Sequence, residues 1–140
     1  MISHLIGAFI GTLGFSILFK IKKDKIIYCS LIGLTSTFVY DLLLYLTKNN
    51  YFSLLGSSIV VSIICQYLAR KLKTPVTIFL APGIICLVPG ALIYQTMLDI
   101  IMGNQAAAVS NGLSTLSISG MIALGVLIVS SIYKTKKNPS

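Results

Sequence analysis

The residues of this chain that could do chemistry are few, and most lie in one stretch. Two Pro-Gly pairs, Pro82-Gly83 and Pro89-Gly90, stand seven residues apart inside an apolar run over 76–102. A proline in a helix interior removes a backbone hydrogen bond and clashes with the preceding turn, and the glycine after it weakens the helix further. A half-helix beginning at Pro89 would aim its first amides, which together carry about +0.5 of a charge, towards the membrane interior, where a carboxylate could bind. A kink used only for packing is the alternative reading, because membrane helices tolerate single prolines and glycines. The neutral polar residues Thr35, Ser36, Gln66 and Gln95 either line a path or bond a neighbouring helix.

Asp41 and Asp99 are the only acids within apolar runs, Asp24 being in a basic segment. An ionisable group at the bilayer centre costs roughly 2.5–3.5 kcal/mol on insertion scales, so it usually faces a partner or an aqueous path. Both acids fall near the same end of their runs, and carboxylates at a common depth can exchange protons. Asp41 and Asp99 are therefore proton-coupling candidates. The alternative is that each reaches headgroup water, which is the better reading for Asp99, four residues from Gly103.

No nucleophile-base arrangement, HExxH motif, phosphate loop or dinucleotide fingerprint is present, so no catalytic residue is expected. Tyr40-Asp41-Leu42 and Leu98-Asp99-Ile100 lack the glycine context of intramembrane aspartyl enzymes. His4 has no second ligand near it, and Cys29, Cys65 and Cys86 lie singly in apolar runs. The cysteines read as buried small hydrophobes, and neither a metal site nor a cofactor is expected.

These residues must be positioned by helices in a lipid bilayer. The 140 residues are 56% hydrophobic and 10% charged, with a mean hydropathy of +0.93, whereas soluble domains carry about a quarter charged residues. Five apolar runs, 2–19, 26–46, 51–69, 76–102 and 112–133, are each close to the ~20 residues a helix needs to cross the hydrocarbon core. They show no polar/apolar alternation, which excludes a barrel and predicts an all-α integral membrane protein of about five spans, the fourth broken at its Pro-Gly pairs. Residues 2–19 have no basic residue ahead of them and no small-residue cleavage site, so they read as a retained first span.

The net charge of +8 is not a nucleic-acid surface, because the charges sit in short clusters between apolar runs. Ten of the eleven basic residues fall in 20–25, in 70–75 and after 133, on one side of a five-span chain, with Lys48 alone on the other. By the positive-inside rule this predicts an outside N-terminus and a cytoplasmic C-terminus in the cell membrane. Gly7, Gly11 and Gly14 in the first run, and Ser110, Ser114, Ser117, Gly120 and Ala123 in the last, form small faces suited to close helix contact.

The stretch Ala81-Pro82-Gly83-Ile84-Ile85-Cys86-Leu87-Val88-Pro89-Gly90, preceded by Thr74-Pro75 and followed by Tyr94-Gln95-Thr96-Met97, resembles the small subunit of the split threonine/serine exporter (ThrE-like) family. Cys86 departs from the family pattern, and Asp41 has no counterpart in its motif. The resemblance implies a subunit of an exporter of small carboxylate-bearing metabolites, threonine and serine in some members and a dicarboxylate such as succinate in others. It further implies that export is driven by the proton gradient and that a larger membrane subunit is the partner. On this reading Pro82, Gly83, Pro89, Gly90, Tyr94 and Gln95 are the substrate-binding candidates. The alternative is a non-transporting accessory or assembly subunit whose Pro-Gly stretch is structural.

The topology has a direct check: a cysteine introduced at Asn138 should be protected from a membrane-impermeant thiol reagent added to intact cells. Labelling from outside would invert or break the five-span arrangement.

Overall fold

Backbone amides and carbonyls cannot be left unpaired in hydrocarbon, so each apolar run closes its hydrogen bonds within itself as a helix. The structure, a computed structural model, describes residues 2–137; Asn138 lies outside them. Six helices follow in chain order: α1 (Ile2–Leu18), α2 (Lys23–Thr47), α3 (Asn50–Lys71), α4 (Thr77–Ile85), α5 (Gly90–Ile101) and α6 (Gln105–Lys137). The helices α2, α3 and α6 are long and apolar enough to cross a membrane, and α4 with α5 makes a fourth candidate span bent by 60°. α1 is also apolar but shorter, at 17 residues.

The ends of the helices follow from local chemistry. Lys20 and Lys73 terminate α1 and α3 in the left-handed region, at φ 52° and 50°. The next amides, of Ile21 and Thr74, reach back to the carbonyls of Ser16 and Ala69 at 3.1 and 3.0 Å, the bond that closes a Schellman turn. Lys48 caps α2 in the same region, at φ 52°. α6 begins at Gln105 rather than near 112, where the apolar run starts. Asn104 accepts a hydrogen bond from the Ala107 amide at 3.5 Å, and the alanines 106–108 are strong helix formers. At 33 residues, α6 is about 50 Å long.

The two Pro-Gly pairs do different things. Pro82 sits inside α4, and the helix continues through it. The carbonyl that its missing N–H would have bonded belongs to Ile78, and this oxygen accepts from the Cys29 thiol of α2 at 3.6 Å. Gly83 allows α4 to lie against Ile32, Val61 and Cys65, where a Cβ would overlap the Ile32 side chain. The fourth span breaks instead between Ile85 and Gly90.

α2 packs against α1, α3 and α4, and α6 packs against α3 and α5. One apolar core joins Cys29 and Ile32 of α2 to Val61, Cys65 and Ala69 of α3 and Phe79 of α4. A second joins Leu54, Leu87, Ile118 and Ile122. Several buried hydroxyls are absorbed within the helices: Thr12, Ser16, Ser30 and Thr37 each donate to the carbonyl four residues earlier, a pattern that lets polar side chains sit in apolar surroundings, while the Ser36 and Ser62 hydroxyls are buried without a partner among the described residues. Ser57 of α3 donates across the interface to the Ser36 carbonyl of α2 at 2.9 Å.

The small faces of the first and last runs are not used inside the chain. A Cβ added at Gly7, Gly11, Gly14 or Gly120 would meet nothing within 4 Å, and Ser110, Ser117 and Ala123 are exposed. The close approaches occur at other glycines. Gly33 of α2 lies against the Thr12 side chain of α1, and Gly125 of α6 lies against Ser58 and the Leu55 carbonyl of α3.

Gly33→Ala should therefore separate α1 from α2, because Thr12 is fully buried and has nowhere to turn; overpacking of this kind costs roughly 1–3 kcal/mol. Thermal unfolding in detergent should register that loss, while Gly120→Ala, which enters open space, should leave stability unchanged or slightly raised.

Candidate functional site

The break in the fourth span opens a cleft of about 730 Å³ between α1, the α2–α3 end and the start of α5. Pro89 forms the turn, with φ −76° and ψ 62°, so that the Gly90 amide bonds the Val88 carbonyl at 2.8 Å. This is an inverse γ-turn. The first helical bond of α5 is from the Ile93 amide to the Pro89 carbonyl, at 3.1 Å. Among the described residues no acceptor takes the Ala91 or Leu92 amide, and both residues line the cleft. On the other side of the break the Cys86 and Leu87 carbonyls accept no backbone bond among the described residues, and both residues line this cleft.

α1 is tied to the break by polar atoms. Thr12 Oγ1 lies 3.0 Å from Cys86 Sγ and donates to the Ala8 carbonyl at 2.5 Å. Cys86 also approaches the Ala8 carbonyl, at 3.6 Å. With Thr12 wedged against Gly33 on its other side, α1 is held between α2 and the turn. At the end of the cleft where α1 begins, the Tyr40 hydroxyl donates to Asn50 Oδ1 at 2.6 Å. His4 and Ser3 of α1 also line the cleft.

The structure brings only some of the sequence candidates together. Pro89 and Gly90 line the cleft, whereas Pro82 and Gly83 are buried against α2 and α3. Tyr94 and Gln95 are exposed on α5 outside the cleft. Asp99 is buried and accepts a hydrogen bond from Asn111 Nδ2 of α6 at 2.7 Å, which fastens α5 to α6. Asp41 is half-buried on α2 with its Oδ2 enclosed and without a hydrogen-bonding partner. No hydrogen bond joins the two acids among the described residues.

Sequence reasoning passes over Thr12, Tyr40 and Asn50. Thr12 is a single hydroxyl between Gly11 and Gly14, and nothing in its spacing marks the partner 74 residues away. Asn50 falls in a segment that reads as a connection. Cys86 is the one cysteine that departs from the expected buried hydrophobe: Cys29 and Cys65 are buried, while Cys86 is half-buried on the cleft wall.

The family model described as Threonine/Serine exporter, ThrE, matches residues 4–132. Neither the curated proteins nor the solved structures yield a match.

A small maleimide should modify Cys86 while leaving Cys29 and Cys65 untouched, and Cys86→Ser should leave the native protein unlabelled until it is unfolded. Mass spectrometry of the labelled thiols checks this; equal reaction of all three would mean that the cleft is not the route by which water reaches the interior.

Proposed function

The chain belongs to the threonine/serine exporter family, whose model covers residues 4–132, and from that premise we propose that the break in the fourth span holds the carboxylate of a small amino acid during export. The observation that carries this reading is the pair of amides, Ala91 and Leu92, without acceptors at the start of α5. Amides at a helix N-terminus combine hydrogen-bond donors with the positive end of the helix dipole. The break of a membrane span is where such groups concentrate in transporters.

The cleft supports an amino acid over a dicarboxylate. α4 ends at the break, and the C-terminal end of a helix is negative; the Cys86 and Leu87 carbonyls there accept no bond. A positive and a negative helix end only a few residues apart suit a zwitterion. Among the described residues no lysine or arginine lines the cleft to neutralise the second carboxylate of a succinate-like substrate. The Tyr40–Asn50 bond uses the Asn50 oxygen, which leaves its amide nitrogen as a donor for the hydroxyl of serine or threonine.

Proton coupling falls to Asp41 in this proposal, since Asp99 is engaged by Asn111 and Asp41 keeps one buried oxygen unpartnered. The partner is a larger subunit of the same family. Gly7 and Gly11 form part of the cleft wall, and together with Gly14 they stand open at the positions where a Cβ would be placed; close helix packing in membranes uses such faces. Two repeats normally build an alternating-access machine, and this chain supplies too few spans for both. The orientation proposed is an outside N-terminus and a cytoplasmic C-terminus in the cell membrane.

The test is export of labelled serine, threonine and succinate from cells carrying the chain with its larger partner. Pro89→Ala with Gly90→Ala should let the helix run through and close the amides. Two charge-assisted hydrogen bonds at about 1.5–3 kcal/mol each set the loss at roughly a hundredfold or more, with insertion and co-purification retained. Asp41→Asn should shift the pH dependence of export. Normal export by the double variant would leave the Pro-Gly pair as a kink.

A further inference from the structure

A second recess lies at the opposite end of the bundle. The C-terminus of α3, the turn into α4 and the end of α6 enclose about 510 Å³ lined by Arg70, Lys73 and Lys134 among others. The chain has three acids, Asp24, Asp41 and Asp99, and none lines this space. One of these cations, Arg70, is held in place by the fold. Arg70 Nη2 donates to the Tyr133 carbonyl at 3.1 Å, and its guanidinium stacks 4.7 Å from the centre of the Tyr133 ring. These two interactions fix the plane of the guanidinium and leave its other N–H donors without a partner among the described residues.

Two further features point to a ligand. Lys73 occupies a left-handed position, φ 50°, that favours glycine, yet it carries a long cationic side chain at the edge of the recess. Thr74, which also lines the space, has its hydroxyl oxygen buried without a hydrogen-bond partner. Buried polar atoms are normally satisfied by protein or by something bound. The remaining surface is partly apolar, with Ala69, Pro75 and Val76.

From these observations we infer that the recess binds the phosphodiester headgroup of an anionic phospholipid. Arg70 would supply the planar fork, Lys73 and Lys134 the point charges and Thr74 the hydroxyl. Basic recesses between membrane helices at the end richest in lysine and arginine favour such headgroups over neutral ones. The apolar surface and the position at the helix ends favour a lipid over free phosphate, although both present the same oxygens to the cations.

The experiment is thermal unfolding of the full chain in detergent, titrated with phosphatidylglycerol, with phosphatidylcholine or with inorganic phosphate. Phosphatidylglycerol should raise the unfolding temperature saturably, and the other two should not. Lys73→Gly with Lys134→Gln should weaken the apparent affinity about fivefold for each cation removed. The glycine relieves the backbone at that position, so this variant is expected to fold; should it not, Lys134→Gln alone decides by the same titration. Lys22→Gln with Lys23→Gln removes equal charge from the same end but outside the recess, and should leave the affinity unchanged. Stabilisation by inorganic phosphate alone, equal stabilisation by phosphatidylcholine, or an equal loss in the Lys22 and Lys23 variant would each overturn the proposal.

Discussion

Within hydrocarbon an unpaired backbone group costs several kcal/mol, and the fourth apolar run contains two prolines that create such groups. The arrangement of the other helices can be understood as the answer to that constraint. At Pro82 the freed Ile78 carbonyl is met by the Cys29 thiol, so α2 must lie beside α4 and the helix can continue. At Pro89 no neighbour restores the ladder. The chain turns on Val88 and Gly90, and α1 comes alongside through Thr12 and Cys86. What is left over, two amides and two carbonyls, belongs to residues that line a cleft.

The same economy governs packing between helices. Lipid tails are as apolar as leucine, so burial of leucine gives no preference for one helix over another, and close approach at small residues decides. The fully buried residues of α3 include Ser53, Ser57, Ser58, Val61 and Cys65, while large side chains such as Leu116, Leu127 and Ile132 are exposed to the surroundings. Serine is acceptable in such a core because its hydroxyl can bond within its own helix, as Ser53 does to Asn49.

Much of the fold is legible in the sequence because the bilayer sets both the length and the composition of each helix. The run over 26–46 becomes α2 at Lys23–Thr47, and 51–69 becomes α3 at Asn50–Lys71. The extra residues are charged or polar ones that hydropathy leaves out but that a helix end accepts. The start of α6 is hidden for the same reason: Gln105 to Asn111 is a good helical segment of low hydropathy. The interruption of the fourth span is signalled by its prolines, but its place is not. Pro82 and Pro89 look alike in sequence, and what separates them comes from other helices: the Cys29 thiol and the close packing of Gly83 against Ile32, Val61 and Cys65. The cleft is the least legible part. Its walls come from α1, α2, α3 and α6, and no local pattern links Thr12 to Cys86 or Tyr40 to Asn50 across helices.

The three residues other than glycine that adopt a left-handed backbone among those described are all lysines, Lys20, Lys48 and Lys73. Two of them, Lys20 and Lys73, stand in the basic clusters from which the positive-inside rule predicts the orientation. On that prediction each does two things at once, ending a helix and carrying an orienting charge, and these pull against each other. Glycine would suit the turn by about 1 kcal/mol and erase a topological charge. A lysine at each of these turns therefore keeps, at that backbone cost, a charge that glycine would remove.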